Sequence, residues 1–256
     1  MKNLLQSLVI AFSMYSKIPM PRVDWNEKNM KYAMCFFPVV GIVIGIITYI
    51  IGQLLFLSSC NELFRAVVMT LIPLLISGGI HMDGFMDTMD ALASYGDREK
   101  KLRILKDSHA GAFAIIGFGC YCLWSVAVWS QVTPEMLGVI AGVFVVSRSL
   151  SGLSIVTFLP AREDGLARTF QDGAHKKKVA VTMVIFLIAI CVFLFWQNWL
   201  LTIGATVAVF LVFVGYKKIS SKQFGGVTGD LAGFFLMLAE LLMITGIMIA
   251  GGVLWS

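Results

Sequence analysis

Charge is what this chain has least of. Only 14% of its 256 residues are Asp, Glu, Lys or Arg, against about 25% in an ordinary soluble domain. That shortage argues against a free-standing water-soluble globule. Histidine is scarcer still: His81, His109 and His175 are the three in the chain, and their spacing suits no zinc site. There is no His-Glu-x-x-His helix, no Walker A loop and no Gly-x-Ser-x-Gly elbow, so protease, P-loop ATPase and α/β-hydrolase readings have no support. The five cysteines, Cys35, Cys60, Cys120, Cys122 and Cys191, are an odd number. Cys120-Tyr121-Cys122 has the wrong spacing for a C-x-x-C pair, and most of the five sit in apolar runs as small buried hydrophobes. No nucleic-acid-binding motif appears. The short alternating segments of a transmembrane barrel are missing too, as are internal repeats and low-complexity stretches. The apolar start leads into Lys17-Ile18-Pro19-Met20-Pro21-Arg22 with no small-residue cleavage site, so it does not read as a cleavable signal.

What the chain has in abundance is apolar sequence: 58% hydrophobic residues and a mean hydropathy of +0.85. These residues are laid out in long blocks at roughly 33–57, 65–80, 109–131, 136–159, 179–196, 199–215 and 231–254. The expectation is an all-α fold, a polytopic transmembrane helical bundle of about seven spans forming one integral-membrane domain over 1–256. Residues 3–14 are apolar but too short to span and suit an interfacial helix ended by Pro19 and Pro21. Lys and Arg orient the bundle. Segments 1–32, 81–108, 160–178 and 216–230 hold 18 of the 20, and loops 58–64, 132–135 and 197–198 hold essentially none. The net charge of +5 thus belongs to cytoplasmic loops near anionic headgroups, with the N-terminus in the cytoplasm and the C-terminus outside.

The second block is short. Its sixteen residues rise about 24 Å, less than a hydrocarbon core of about 30 Å. The helix is therefore expected to draw on residues after Ile80 and to carry Asp83 to the cytoplasmic edge of the bilayer. There the run Gly78-Gly79-Ile80-His81-Met82-Asp83-Gly84-Phe85-Met86-Asp87-Thr88-Met89-Asp90 sets three aspartates at spacings of four and three, on one helical face. A solvated helix end explains one such residue. Three crowded carboxylates point to a hard divalent cation, and acids at membrane depth read as functional.

Other polar residues converge on the same side. Lys106, Asp107 and Ser108 open the third block; Lys106 and Asp107 are within reach of such a site, while Asp107 and Ser108 equally suit a helix N-cap. Lys100 and Lys101 read as topological charge. Arg148, inside the fourth block, either pairs with an acid or clamps a phosphate. Arg162-Glu163-Asp164-Gly165-Leu166 follows that block. Gly225-Gly226-Val227-Thr228-Gly229-Asp230 opens the last one, adding glycine backbone and a fourth carboxylate. Glu240 lies about three turns deeper, as a structural or functional acid. Acids able to hold Mg²⁺ beside basic groups are the equipment of phosphoryl transfer.

These motifs resemble the cobalamin synthase family, the adenosylcobinamide-GDP ribazoletransferases or cobalamin 5′-phosphate synthases. The run from Gly78 to Asp90 is similar to that family's GGxHxDGxxDTxDG signature. Tyr15-Ser16-Lys17-Ile18-Pro19-Met20-Pro21 is similar to TRxPxP, Phe37-Pro38-Val39-Val40-Gly41 to FPxxG, and Lys106-Asp107-Ser108-His109-Ala110-Gly111-Ala112-Phe113 to (K/R)DSRxGAF. Arg162 to Leu166 matches REDGL and Gly225 to Asp230 matches GGxTGD. The resemblance implies a Mg²⁺-dependent enzyme of the prokaryotic (inner) membrane with its site on the cytoplasmic side. Its substrates would be adenosylcobinamide-GDP and α-ribazole or α-ribazole 5′-phosphate, with membrane lipid around it, no nucleic acid, and a homo-oligomer left open. It implies Asp83, Asp87 and Asp230 as metal ligands with Asp90 in support, and Asp83, Asp87 and Asp107 as catalytic residues. Lys17, Lys106, Arg148, Arg162, Thr228 and Gly229 would bind substrate. Three positions depart from the pattern: Lys17 and His109 stand where the family has Arg, and Met237 replaces a glutamate that often precedes the one matched by Glu240.

Two rivals remain. A CDP-alcohol lipid phosphotransferase would show a D-G-x-x-A-R element, and no Arg follows Asp83-Gly84 in that register. A cation-coupled transporter would use Asp83 and Arg148 as intramembrane charges, and the inverted repeats typical of that class are absent.

Overall fold

The computed structural model describes residues 2–163 and 176–254. Helices run in the order α1 (Lys2–Tyr15), α2 (Glu27–Met30), a 3-10 turn (Ala33–Phe36) leading into α3 (Phe37–Leu57), α4 (Glu62–Ser77), α5 (Ile80–Ala93), α6 (Arg98–Ile104), α7 (Ala112–Ser130), α8 (Leu137–Thr157), α9 (Lys176–Gln197), α10 (Trp199–Ile219) and α11 (Gly229–Leu254). Among the described residues the extended pairing consists of a parallel bridge between Pro160 and Val227. Six helical stretches are long and apolar enough to cross a bilayer, and α4 with α5 makes a seventh if that bent pair is one span. The chain is a multi-pass, all-helical membrane protein.

The middle of the bundle is α8. Within its apolar window 83% of residues are buried, against 17% in α9, so α8 is walled by protein while α9 turns most of its surface outward. Composition explains the difference. Ser147, Ser149, Ser151, Gly152 and Ser154 give α8 a thin surface that neighbouring helices can approach. A Cβ at Gly41 or Gly45 of α3 would strike the backbone of Phe144 or Ala141 in α8, and Gly204 of α10 meets Gly246 of α11 in the same way. On α9 and α10 the large apolar residues Val192, Trp196, Phe210 and Leu211 are exposed, as a lipid-facing surface requires.

The predicted extension of the second span past Ile80 does not form as one rod. Asn61 caps the start of α4 by accepting the Phe64 N–H at 2.8 Å. The helix then ends at Gly78 and Gly79, with φ of 66° and 78°, a conformation that glycine adopts without a Cβ clash. The Gly79 N–H closes the end by donating to Leu74 O at 3.0 Å. From there α5 departs at 97° to α4. The aspartates therefore ride on a separate helix. Its inner face packs Phe85 between Tyr121 of α7 and Phe234 of α11, each with centroids 5.6 Å away.

Candidate active site

Two glycines bring the acids together. A Cβ at Gly84 would lie 2.8 Å from Asp230 Cα and O, and one at Gly233 would lie 3.1 Å from His81 O. The backbones of α5 and α11 thus touch where Asp83 and Asp87 on one helix meet Asp230 in the first turn of the other. The charge of Asp83 acts most strongly on Asp87 among the neighbouring acids, followed by those of Asp230, Asp90 and Asp107. These are all oxygen donors. Among the described residues no three His, Cys, Asp or Glu side chains are gathered tightly enough to hold a metal ion by themselves.

Asp90, expected beside the other ligands, is engaged elsewhere. Its Oδ2 accepts the Gly111 N–H at 2.6 Å and its Oδ1 the Ala114 N–H at 3.0 Å. It therefore caps α7, whose own N-cap residue is a glycine with no side chain to offer. Asp107 and Ser108, the predicted capping candidates, stand outside that helix. Asp107 is exposed and holds His109 instead: its Oδ1 lies 2.8 Å from His109 Nδ1 and accepts the His109 backbone N–H at 3.0 Å. These hydrogen bonds hold the Asp107 carboxyl below the usual carboxylate range.

The last motif does two jobs. Thr228 Oγ1 accepts the Leu231 N–H at 3.2 Å, opening α11, and lies 3.4 Å from Asp230 Oδ2. Gly229 begins that helix, where unpaired N–H groups and the helix dipole favour an anion. Arg162 approaches from the loop after α8. It donates to Leu102 O at 2.5 Å, its charge acts on Asp230, and its buried Nε has no hydrogen-bond partner. Lys17 lies at the turn from α4 into α5: its N–H donates to Ile76 O at 2.7 Å, and its side chain crosses Gly78 within 2.8 Å of where a Cβ would sit. Lys106 is exposed just before α7.

Arg148 takes the structural alternative. It is 1% exposed and donates to Glu240 Oε1 at 2.6 Å. The same oxygen accepts from Ser147 Oγ at 2.8 Å, and Phe144 O accepts from Arg148 at 3.1 Å. Arg148 and Glu240 thereby lock α8 to α11 inside the bundle. Of the REDGL stretch, Arg162 and Glu163 are described; Asp164, Gly165 and Leu166 lie outside the described residues, as does His175.

A family model described as cobalamin-5-phosphate synthase matches residues 7–248. The chain belongs to the cobalamin-5-phosphate synthase family. A protein named adenosylcobinamide-GDP ribazoletransferase from Lachnoclostridium phytofermentans is 48% identical over 250 residues, covering 98% of this chain and 96% of that protein. Proteins of the same name are 31% identical in Clostridium botulinum strain Alaska E43, over 94% of this chain and 96% of that one, and 32% identical in Clostridium perfringens strain SM101, over 98% and 99%. No solved structure matches the chain.

In this cobalamin-5-phosphate synthase family member, three polar residues near the site escape sequence reasoning. Lys101, read as topological charge, is buried and donates to Gln223 Oε1 at 2.5 Å. The Arg98 guanidinium lies over Gly225, whose φ is 74°, and donates to Ala161 O at 3.1 Å. Together they fasten α6 to the loop that carries Arg162 and to the turn that precedes α11. His81 is buried beside the paired rings of Tyr15 and Phe37, with centroids 6.0 and 5.9 Å away. A charge in a basic loop and a histidine beside an apolar run carry no signal of such partners; the family signature alone marks His81.

Proposed function

We propose that this chain transfers the adenosylcobinamide-phosphate moiety of adenosylcobinamide-GDP to α-ribazole or its 5′-phosphate, releasing GMP. The observation that carries this reading is the backbone contact at Gly84, which sets Asp83 and Asp87 against Asp230 with Arg162 alongside. A ribose hydroxyl of the acceptor, one that is free in both forms, makes the new bond to the cobinamide-side phosphorus, and the bond from that phosphorus to the bridging oxygen of the pyrophosphate breaks. The hydroxyl proton passes to a carboxylate, with Asp83, Asp87 and Asp107 as candidates, and GMP leaves with the bridging oxygen. Arg162, Lys17 and Lys106 bind the pyrophosphate oxygens, and the start of α11 at Thr228 and Gly229 offers backbone N–H groups to the same anion.

Mg²⁺ fits these residues. It keeps several waters and takes one or two carboxylates plus substrate phosphate oxygens, so it needs no complete protein cage. Asp83, Asp87 and Asp230 would hold it, and when bound it would neutralise charge on the transferring phosphoryl group. Orientation follows from charge. The site is built from segments 81–108, 160–163 and 225–230, all within the Lys/Arg-rich set, which supports a site on the cytoplasmic side of a cell membrane with the N-terminus inside.

The test is GMP release by detergent-purified protein given adenosylcobinamide-GDP, α-ribazole and Mg²⁺, with EDTA as control. Release requiring both substrates and the metal is expected. A folded sample that releases none, or that releases GMP without α-ribazole, would overturn the proposal.

A further inference from the structure

A cavity of ≈ 690 Å³ lies between α10 and α11, lined from Leu200 to Ile219 on one helix and from Phe234 to Ala250 on the other. Val207 and Leu211 on its walls are exposed, so it is a groove open to the hydrocarbon. Its α10 wall rises about 28 Å, close to a hydrocarbon core of about 30 Å, so it runs the depth of a bilayer. Tyr216 and Thr245 are the two lining side chains with a polar atom, and both hydroxyls are engaged, with Ser154 Oγ at 3.3 Å and Leu241 O at 2.8 Å. The groove itself thus recognises apolar chains and nothing else. Nor is it a ready face for another helix. Gly204 and Gly246 are taken up by the contact of α10 with α11, and of the three lining glycines only Gly215 opens into the groove, with no atom within 4 Å of where a Cβ would sit.

Charge stands at one end. Gly204, Ala208, Leu211, Gly215 and Lys218 follow one another at spacings of four, three, four and three, which is one face of α10. Lys218 therefore sits at the mouth of the groove beside Ile219. Lys218 and Lys222 are exposed, and residues 200–229 hold three Lys and no Asp or Glu. The lining face of α11 continues past Phe235 to Leu231 without a charge. We propose that this groove holds one acyl chain of an anionic glycerophospholipid whose phosphate rests on Lys218. Basic groups at the membrane edge between helices hold such headgroups, and Lys222 adds to the attraction. The lipid belongs to the leaflet on the side of the carboxylates, because the chain passes from Lys218 through residues 220–228 into the start of α11 at Asp230. Phe234 is a wall of the groove and also stacks on Phe85 of α5 at 5.6 Å. An occupied groove therefore braces the two helices that carry Asp83, Asp87 and Asp230. The inference rests on the membrane-spanning helices and not on the transferase reading.

The test uses full-length protein in neutral detergent, stripped of lipid and titrated with dioleoyl phosphatidylglycerol or dioleoyl phosphatidylcholine. Native mass spectrometry counts the bound lipid. One phosphatidylglycerol should bind about tenfold more tightly than phosphatidylcholine. Lys218→Ala should weaken phosphatidylglycerol by about fivefold and leave phosphatidylcholine within about twofold. Gly215→Leu puts a side chain into the groove at a point where its Cβ meets no neighbour, so it should melt as the unmodified protein does and lose the bound lipid. Equal affinity for the two lipids overturns the proposal, as does an unchanged preference in Lys218→Ala. Full-affinity phosphatidylglycerol binding by Gly215→Leu also overturns it, leaving a basic surface that attracts anionic bilayers at large. A dimer that Gly215→Leu splits, seen by light scattering with no lipid bound, gives the groove to a second copy instead. Should Gly215→Leu fail to fold, Lys218→Ala with the two lipids decides.

Discussion

Replacing Arg148 by Met should destabilise the protein far more than replacing Arg148 and Glu240 together. Both side chains are almost wholly buried, at 1% and 5% exposure, and their atoms meet at 2.6 Å. Removing the guanidinium leaves Glu240 Oε1 with the Ser147 hydroxyl as its remaining partner. Breaking a buried pair from one side costs about 3–5 kcal/mol, whereas replacing both partners by apolar groups of similar volume is often neutral. For a chain of this size that single loss corresponds to a melting point lower by about 6–20 °C. The double variant Arg148→Met with Glu240→Leu should recover most of it. The assay is thermal unfolding followed by size-exclusion in detergent, with GMP release measured well below each transition. Because the pair lies inside the bundle, the double variant should keep kcat/KM within about threefold of the unmodified protein. Two results would refute this reasoning: a double variant as unstable as the sum of the singles, or one that melts normally but has lost turnover. The second would return Arg148 to the substrate.

Asp83→Ala and Asp87→Ala should each lower GMP release by at least about a thousandfold with unchanged membrane insertion and melting point; near-normal turnover in either removes that carboxylate from the site. Gly84→Ala forces a methyl group to 2.8 Å from the Asp230 backbone, so α5 and α11 must part at about 1–3 kcal/mol. Its turnover should fall much further than its stability, as parallel melting and activity measurements would reveal. Asp90→Ala removes the acceptor of the Gly111 and Ala114 N–H groups and should cost about 0.5–2 kcal/mol. Asp90→Asn keeps an acceptor and should retain most turnover; an inactive but stable Asp90→Asn would restore the metal role. The hydrogen bonds from His109 favour the charged form of Asp107, so that carboxylate stays ionised to lower pH than usual. His109→Ala should therefore shift the acid limb of the kcat/KM profile upward in pH, and a profile that does not move would exclude Asp107 from the reaction.

The parts of this molecule that were legible in the sequence are those written in composition and period. Long apolar blocks marked the spans, and the spacing of Asp83, Asp87 and Asp90 marked one face of a helix. The bend was not legible. Gly78-Gly79 permits a left-handed turn without demanding one, and the shortness of the preceding block was equally consistent with a longer helix. Pairings across many residues were also hidden. Arg148 could be read as needing a partner, but the sequence did not say that Glu240, on the last helix, was that partner. Asp90 looked like its neighbours because periodicity places a side chain on a face without saying what lies opposite; here the uncapped start of α7 does. Lys101 looked like the rest of a basic loop, and burial against Gln223 sets it apart.

The contact at Gly84 also has a consequence for the order of events during synthesis. Asp83 and Asp87 leave the ribosome early, while Asp230 and Gly233, which complete their setting, belong to the last helix described. A nascent chain inserted only as far as α10 carries Asp83 and Asp87 in a half-built wall, and its Arg148 lacks Glu240. Completion of the carboxylate cluster and closure of the bundle therefore arrive together, with the docking of one final helix.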